Sequence, residues 1–139
     1  MNVFISYAQE DTQRIVPICQ ALTSWQVSFW APPRTDVNTE QNAQIQQSLT
    51  QTDILLRICS PATPRSYWMT FEQTAFLSLQ AAQYRQQQQV AQKLINLILD
   101  ASYQREPFDY ADPIIDATSL NDNTWQTALH AAIFSSVTH

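Results

Sequence analysis

Residues 53–59 read DILLRIC. The run is apolar almost without interruption, where a strand with one wet face would alternate. That is the pattern of a strand covered on both sides, the usual condition of the inner strands of a parallel sheet. Four further runs share it: NVFIS at 2–6, VSFW at 27–30, LINLIL at 94–99 and PIID at 113–116. Between them the apolar spacing changes to that of helices. Residues 12–24 carry Ile15, Val16, Cys19 and Leu22 on one side, and residues 41–51 carry Ile45 and Leu49. The longest helical stretch runs from 67 to about 92, and the last spans 121–137, whereas 101–112 reads as a loop. Strands alternating with helices predict an α/β fold. The expected form is three-layered, flavodoxin-like and doubly wound, with five parallel strands in the order 2-1-3-4-5 and one domain over 1–139.

Composition narrows the function. A formal charge of −5 and a pI near 4.7 argue against nucleic acid or an anionic membrane surface as the main partner. No apolar run is long enough to span a membrane, and the N-terminus enters a strand directly, so a cytoplasmic location is expected. Cys19 and Cys59 each lie in an apolar segment and read as reduced core thiols. His130 and His139 have no ligand-spaced neighbour, so no metal site is expected. The chain contains no glycine, where average usage would give about ten. Glycine-rich phosphate loops are thereby excluded, and turns must rest on Pro, Asn, Asp and Ser.

In a sheet of this order, ligands bind beyond the carboxyl ends of the strands, where the order reverses between strands 1 and 3. The loop after strand 1 contains Ser6, Tyr7, Glu10 and Asp11. The loop after strand 3 is SPATPRS (60–66), leading into YWMTFEQTAF at 67–76. Ser66 is a good N-cap for that helix. Trp68, Phe71, Ala75, Leu79 and Ala82 form its expected buried stripe, with Glu72 at the edge of the stripe. Topology thus brings Tyr7 and Glu72 to one crevice, and Glu72 is expected to open into it. An acid early in a helix also has a plainer explanation in the helix dipole, as do Glu10 and Asp11.

These segments, taken in order, resemble a Toll/interleukin receptor (TIR) domain over nearly the whole chain. Val3-Phe4-Ile5-Ser6-Tyr7 with Glu10-Asp11 is similar to the first family motif. Phe29-Trp30-Ala31-Pro32-Pro33-Arg34 resembles the end of strand 2 and the BB loop in its bacterial form. Residues 45–53 resemble the helix leading into strand 3. Cys59-Ser60-Pro61, then Ser66-Tyr67-Trp68 with Glu72 four residues on, resembles the Ser-x-Trp-Cys-x-x-Glu box. Trp125 matches a recurrent aromatic of the last helix.

The resemblance to bacterial, NAD-cleaving members implies an NAD+ glycohydrolase or cyclase, with NAD+ as substrate, no cofactor, and Glu72 as the catalytic carboxylate. Tyr7, Ser6, Trp68, Arg34 and Ser66 are implied as the substrate-binding set, with Arg34 meeting a phosphate. The implied partners are other TIR domains, in a homo-oligomer or filament, and a fused or separate sensor module. The implied setting is antiphage defence. The chain departs from the family in having no glycine in the BB loop, where Asn38 is the residue suited to a left-handed conformation, and in carrying Met69 for the usual cysteine. A non-catalytic TIR scaffold is the alternative. A receiver domain on the same topology is excluded, because strand 1 ends in Ser6-Tyr7 and strand 3 in Cys59-Ser60, without the acids a receiver needs.

Overall fold

A computed structural model describes residues 1–34, 39–87, 92–104, 114–119 and 122–134. Five strands, β1 (Asn2–Ser6), β2 (Ser28–Trp30), β3 (Ile54–Cys59), β4 (Lys93–Ile98) and β5 (Ile114–Asp116), form one sheet. All neighbours are parallel, in the order β2-β1-β3-β4-β5. The expected α/β architecture and strand order are therefore observed. Helices α1 (Val16–Ser24), α2 (Thr39–Thr50), α3 (Tyr67–Gln87) and α4 (Thr124–Phe134) connect and flank the strands.

The apolar runs are explained by the two cores they fill. All six positions of β3 are buried. On one face Val3, Ile5, Leu56, Ile58, Ile95 and Leu97 pack with Ile18 and Leu22 of α1 and Trp125 and Leu129 of α4. On the other face Phe4, Leu55 and Leu94 meet Ile45 and Leu49 of α2 and Trp68 and Phe76 of α3. Burying one such aliphatic or aromatic side chain contributes about 1.5–3 kcal/mol. Arg57 interrupts the apolar run of β3 and is itself buried; its Nη1 donates to Asn96 Oδ1 and to the Tyr103 hydroxyl, each at 3.3 Å.

Some boundaries differ from the sequence expectation. The first helix begins at Val16, not at residue 12, because Pro17 suits the first turn and could not donate within a helix already under way. A 3₁₀ turn, Gln9–Asp11, precedes it. The stripe on α3 is also rotated. Trp68, Met69, Glu72 and Phe76 are buried, whereas Phe71, Ala75 and Leu79 are only partly so. Glu72 therefore sits inside the buried face, not at its edge. Asn38 lies outside the described residues. Among the described residues, no helix is long and apolar enough to cross a membrane.

The glycine-free chain still needs a left-handed residue, and Gln26 supplies it, with φ of 59°. Gln26 N–H donates to Thr23 O and Val27 N–H to Leu22 O, each at 3.0 Å, the paired bonds of a Schellman cap on α1. Val27 and Leu22, the apolar partners of that motif, join the same core. A side chain in this conformation costs about 1–2 kcal/mol, of which glycine's extra freedom when unfolded returns part. Gln26→Gly is expected to stabilise the fold by about 1 kcal/mol, or roughly 3 °C in Tm. Urea and thermal melts of the two proteins check this; an unchanged or lower Tm contradicts it.

Candidate functional site

Because every strand runs the same way, the carboxyl ends of β1, β2 and β3 lie on one edge of the sheet. The order reverses there between β1 and β3. Four segments converge at this point: Ser6-Tyr7 at the end of β1, Ala31–Arg34 after β2, Ser60–Ser66 after β3, and the first two turns of α3.

Glu72 reaches the tip of β1 from α3 and is 0% exposed. Its carboxylate accepts three short hydrogen bonds. Ser6 Oγ donates to Oε1 at 2.7 Å. Arg34 donates through Nη2 to Oε1 at 2.6 Å and through Nη1 to Oε2 at 2.7 Å. The last two are a fork-to-fork pair, the strongest arrangement open to an arginine and a carboxylate. Both side chains are removed from water, at 1% exposure for Arg34 and 0% for Glu72. The expected open carboxylate is thus closed off, and Arg34, expected to meet a phosphate, lies on Glu72. The physical reason is mutual: an acid on the buried face of α3 needs a cation, and Arg34 is within reach of it.

The guanidinium is fixed on its remaining sides as well. Arg34 Nε donates to Tyr7 O at 2.8 Å. Its central carbon lies over the Tyr7 ring at 4.6 Å and over the Trp68 ring at 5.7 Å, within range of cation–π attraction. The Tyr7 hydroxyl donates to Pro32 O at 2.7 Å, and Gln41 Nε2 donates to Pro33 O, also at 2.7 Å. These bonds hold both ends of a short Pro-Pro segment whose backbone the rings already restrict.

Burial pushes the Glu72 carboxyl above its ordinary range. The hydrogen bonds and charge of Arg34, and then the Ser6 hydroxyl, pull it back down, and the net direction is upward. Burial likewise raises the Tyr7 phenol, against the Arg34 charge.

Of the residues expected at the site, Ser6, Tyr7, Arg34, Trp68 and Glu72 converge. Ser66 does not join the ion pair: its Oγ accepts the Met69 N–H at 3.2 Å and caps α3. The Ser66 side chain also borders an open cleft of about 570 Å³ with Arg65, Tyr67 and Phe71. A second cleft, of about 520 Å³, has Tyr7, Cys19 and Ala31 on its walls. Glu72 lines neither.

Sequence reasoning missed one support. Asp11, expected to serve as a helix-terminal charge, is 3% exposed and accepts from Ser60 Oγ at 2.5 Å. Arg14 bridges the same Asp11, at 3.2 Å, to Asp100, at 2.8 Å. This chain of bonds ties the loop after β1 to those after β3 and β4. The position of Ser60 at a strand's carboxyl end, opposite the acidic pair, was the available signal.

A family model described as TIR domain matches residues 3–134. No curated protein sequence matches the chain. Among solved structures, the TIR domain of the Toll-related receptor TRR-2 from Hydra magnipapillata superposes with a TM-score of 0.67 at 13% identity. The match covers 94% of this chain and 97% of that one.

The ion pair makes a pH-dependent prediction. Arg34→Ala leaves a buried carboxylate without its cation, a loss of about 3–5 kcal/mol at neutral pH. In the variant the downward pull of Arg34 is gone, so the folded carboxyl lies still further above the ordinary 4.5 of the unfolded chain. The folded variant then binds a proton that the unfolded chain releases, so its stability falls as pH rises from that value toward the folded one. Urea melts at about pH 4 and pH 7 should show a small deficit at the lower pH and the large one at the higher. An equal deficit at both contradicts the assignment.

Proposed function

Taking as premise that the chain belongs to the TIR domain family, we propose that it is an NAD+ glycohydrolase, at rest in the observed arrangement and activated by self-assembly. The observation that carries this reading is the convergence, at the reversal point of the sheet, of a buried carboxylate bonded to a strand-end hydroxyl and to Arg34, whose guanidinium lies over two aromatic rings. Buried carboxylates paired with a cation are costly, and replacing such pairs by apolar residues is often neutral or stabilising. The position of Glu72 where α/β sheets bind ligands supports a role for it there.

The chemistry fits those groups. The bond between C1 of the ribose and the nicotinamide nitrogen breaks, and its electron pair stays on nitrogen, so nicotinamide leaves neutral without a general acid. Positive charge develops at C1 and on the ring oxygen. A carboxylate in a water-poor site stabilises that charge as it forms, or holds the ribose hydroxyls. Water then adds at C1 and releases a proton, giving ADP-ribose; attack by an internal nitrogen of the adenine gives a cyclic product instead. Glu72 is assigned the carboxylate role, with Ser6, Tyr7, Trp68, Ser66 and Arg34 as the residues around the substrate. In this reading other copies of the domain are the activating partners, a sensor module supplies the trigger, and the setting is bacterial antiphage defence.

The closed state of Glu72 specifically favours a second reading, in which the pair is structural and the domain is a scaffold for TIR–TIR contacts. One experiment separates them. Protein clustered at high local concentration on a bead or fused oligomer is incubated with NAD+, and nicotinamide release is followed by chromatography. The glycohydrolase reading expects release that Glu72→Gln, verified as folded by circular dichroism, lowers by at least about 10²-fold, the scale of an essential electrostatic group. Intact NAD+ under clustering leaves the scaffold.

A further inference from the structure

Part of the apolar surface of α3 is left uncovered. Phe71 and Ala75 belong to the stripe that sequence spacing assigns to the core, yet both are only partly buried. With Tyr67, which is 48% exposed, they line the cleft of about 570 Å³, a volume that suits a small ligand. The Tyr67 and Phe71 rings are nearly parallel, 16° apart with centroids at 6.1 Å, so a further ring can continue the stack. Tyr67 is held in place without a guest. Trp68 packs edge-on against it at 5.3 Å, and Asn42 of α2 donates from Nδ2 to its hydroxyl at 3.2 Å. A ring fixed from two helices loses little freedom when a guest stacks on it.

Charge narrows the guest. Among the described residues the cleft wall carries one charged side chain, Arg65, and no acid. Arg65 makes no ion pair among the described residues, whereas Arg14 and Arg34 both lie on carboxylates. A guanidinium fork matches a carboxylate edge to edge and neutralises its single charge. A phosphate monoester brings more charge and a third oxygen, and a glycine-free chain has no close-wrapping loop of backbone N–H groups to meet them.

We propose that this cleft binds planar aromatic carboxylates, the ring system stacking on Tyr67 and the carboxylate lying on Arg65. Gln46 of α2 borders the cleft as well, so a bound ligand touches both helices and strengthens their packing. A neutral aromatic keeps the stacking and loses the ion pair, and a non-aromatic acid does the reverse, so selectivity requires both groups. Neither Glu72 nor Arg34 lines the cleft. The site is therefore independent of the glycohydrolase reading, and either can fail without the other.

The test titrates 2-naphthoate into wild type, Arg65→Ala and Tyr67→Ala, reading Tm and a calorimetric Kd. The neutral 2-naphthamide, the non-aromatic cyclohexanecarboxylate and adenosine monophosphate serve as comparisons. Both substituted side chains are exposed, so both variants should fold. Naphthoate should raise the wild-type Tm. It should bind wild type about fivefold more tightly than either variant, the scale of one exposed ion pair or one aromatic contact. The amide and the non-aromatic acid should bind wild type more weakly than naphthoate by a similar factor. Arg65→Lys, which keeps the charge without the fork, should fall between wild type and Arg65→Ala. No binding by wild type, or equal binding by wild type and either alanine variant, overturns the proposal. Tighter binding of the nucleotide than of naphthoate also overturns it, by giving the cleft to phosphate. So does a dimer in sedimentation that Tyr67→Ala dissociates and naphthoate does not, which gives the cleft to a second copy.

Discussion

Two opposite charges lie in the interior at the reversal point of the sheet, and most of what is specific to this chain follows from how they are held. Taking a carboxylate and a guanidinium out of water costs several kcal/mol for each ion, and their attraction recovers this only when geometry and hydrogen bonding are nearly complete. Here they are: both carboxylate oxygens are filled, a strand-end serine adds a third donor, and the arginine's remaining contacts are a carbonyl and two rings. The pair draws the segment after β2 over the tip of β1 and down onto α3. Its partners come from residues 6, 7, 34, 68 and 72, so it is the point where three elements distant in sequence become one site.

A glycine-free chain constrains how such a site is built. Without glycine, no backbone loop can wrap closely around a phosphate, and no helix can end on the usual left-handed residue. The chain answers the second problem with Gln26, accepting a left-handed backbone at a residue with a side chain to close α1. It answers the first with side chains: prolines stiffen residues 31–34, and the Ser60–Asp11–Arg14–Asp100 bonds brace the loops on the other side. Rigidity at the strand ends therefore comes from rings and charges.

The sheet was legible in the sequence because its signal is cumulative. Five apolar runs and the helical spacing between them leave few topologies, and 2-1-3-4-5 is a common order for a five-stranded doubly wound sheet. The crevice was legible for the same reason: strand ends 1 and 3 and the start of α3 had to meet. What could not be read was the state of the carboxylate. Helical periodicity placed Glu72 at the edge of a stripe drawn through Phe71 and Ala75, because an acid counts as polar in any such pattern. Its actual place, between Trp68 and Phe76 on the buried face, depends on a cation 38 residues away, and one sequence carries no signal for that pairing. Asp11 was misplaced because its partner Ser60 lies 49 residues along the chain, and only their shared place at the strand ends points to the bond. Local pattern reports what a residue prefers when unpaired; both of these are paired over long range.

If the pair is kept for what its carboxylate does, the fold itself should not need it. The most direct measurement is the unfolding free energy of a variant in which both members become apolar, Arg34→Met together with Glu72→Leu, compared with wild type by urea titration. A stability equal to wild type or higher is expected, since two desolvated charges give way to packing of similar volume. A loss of about 3 kcal/mol or more, comparable to removing one partner alone, would make the pair structural cement, kept for the fold and not for the chemistry of its carboxylate.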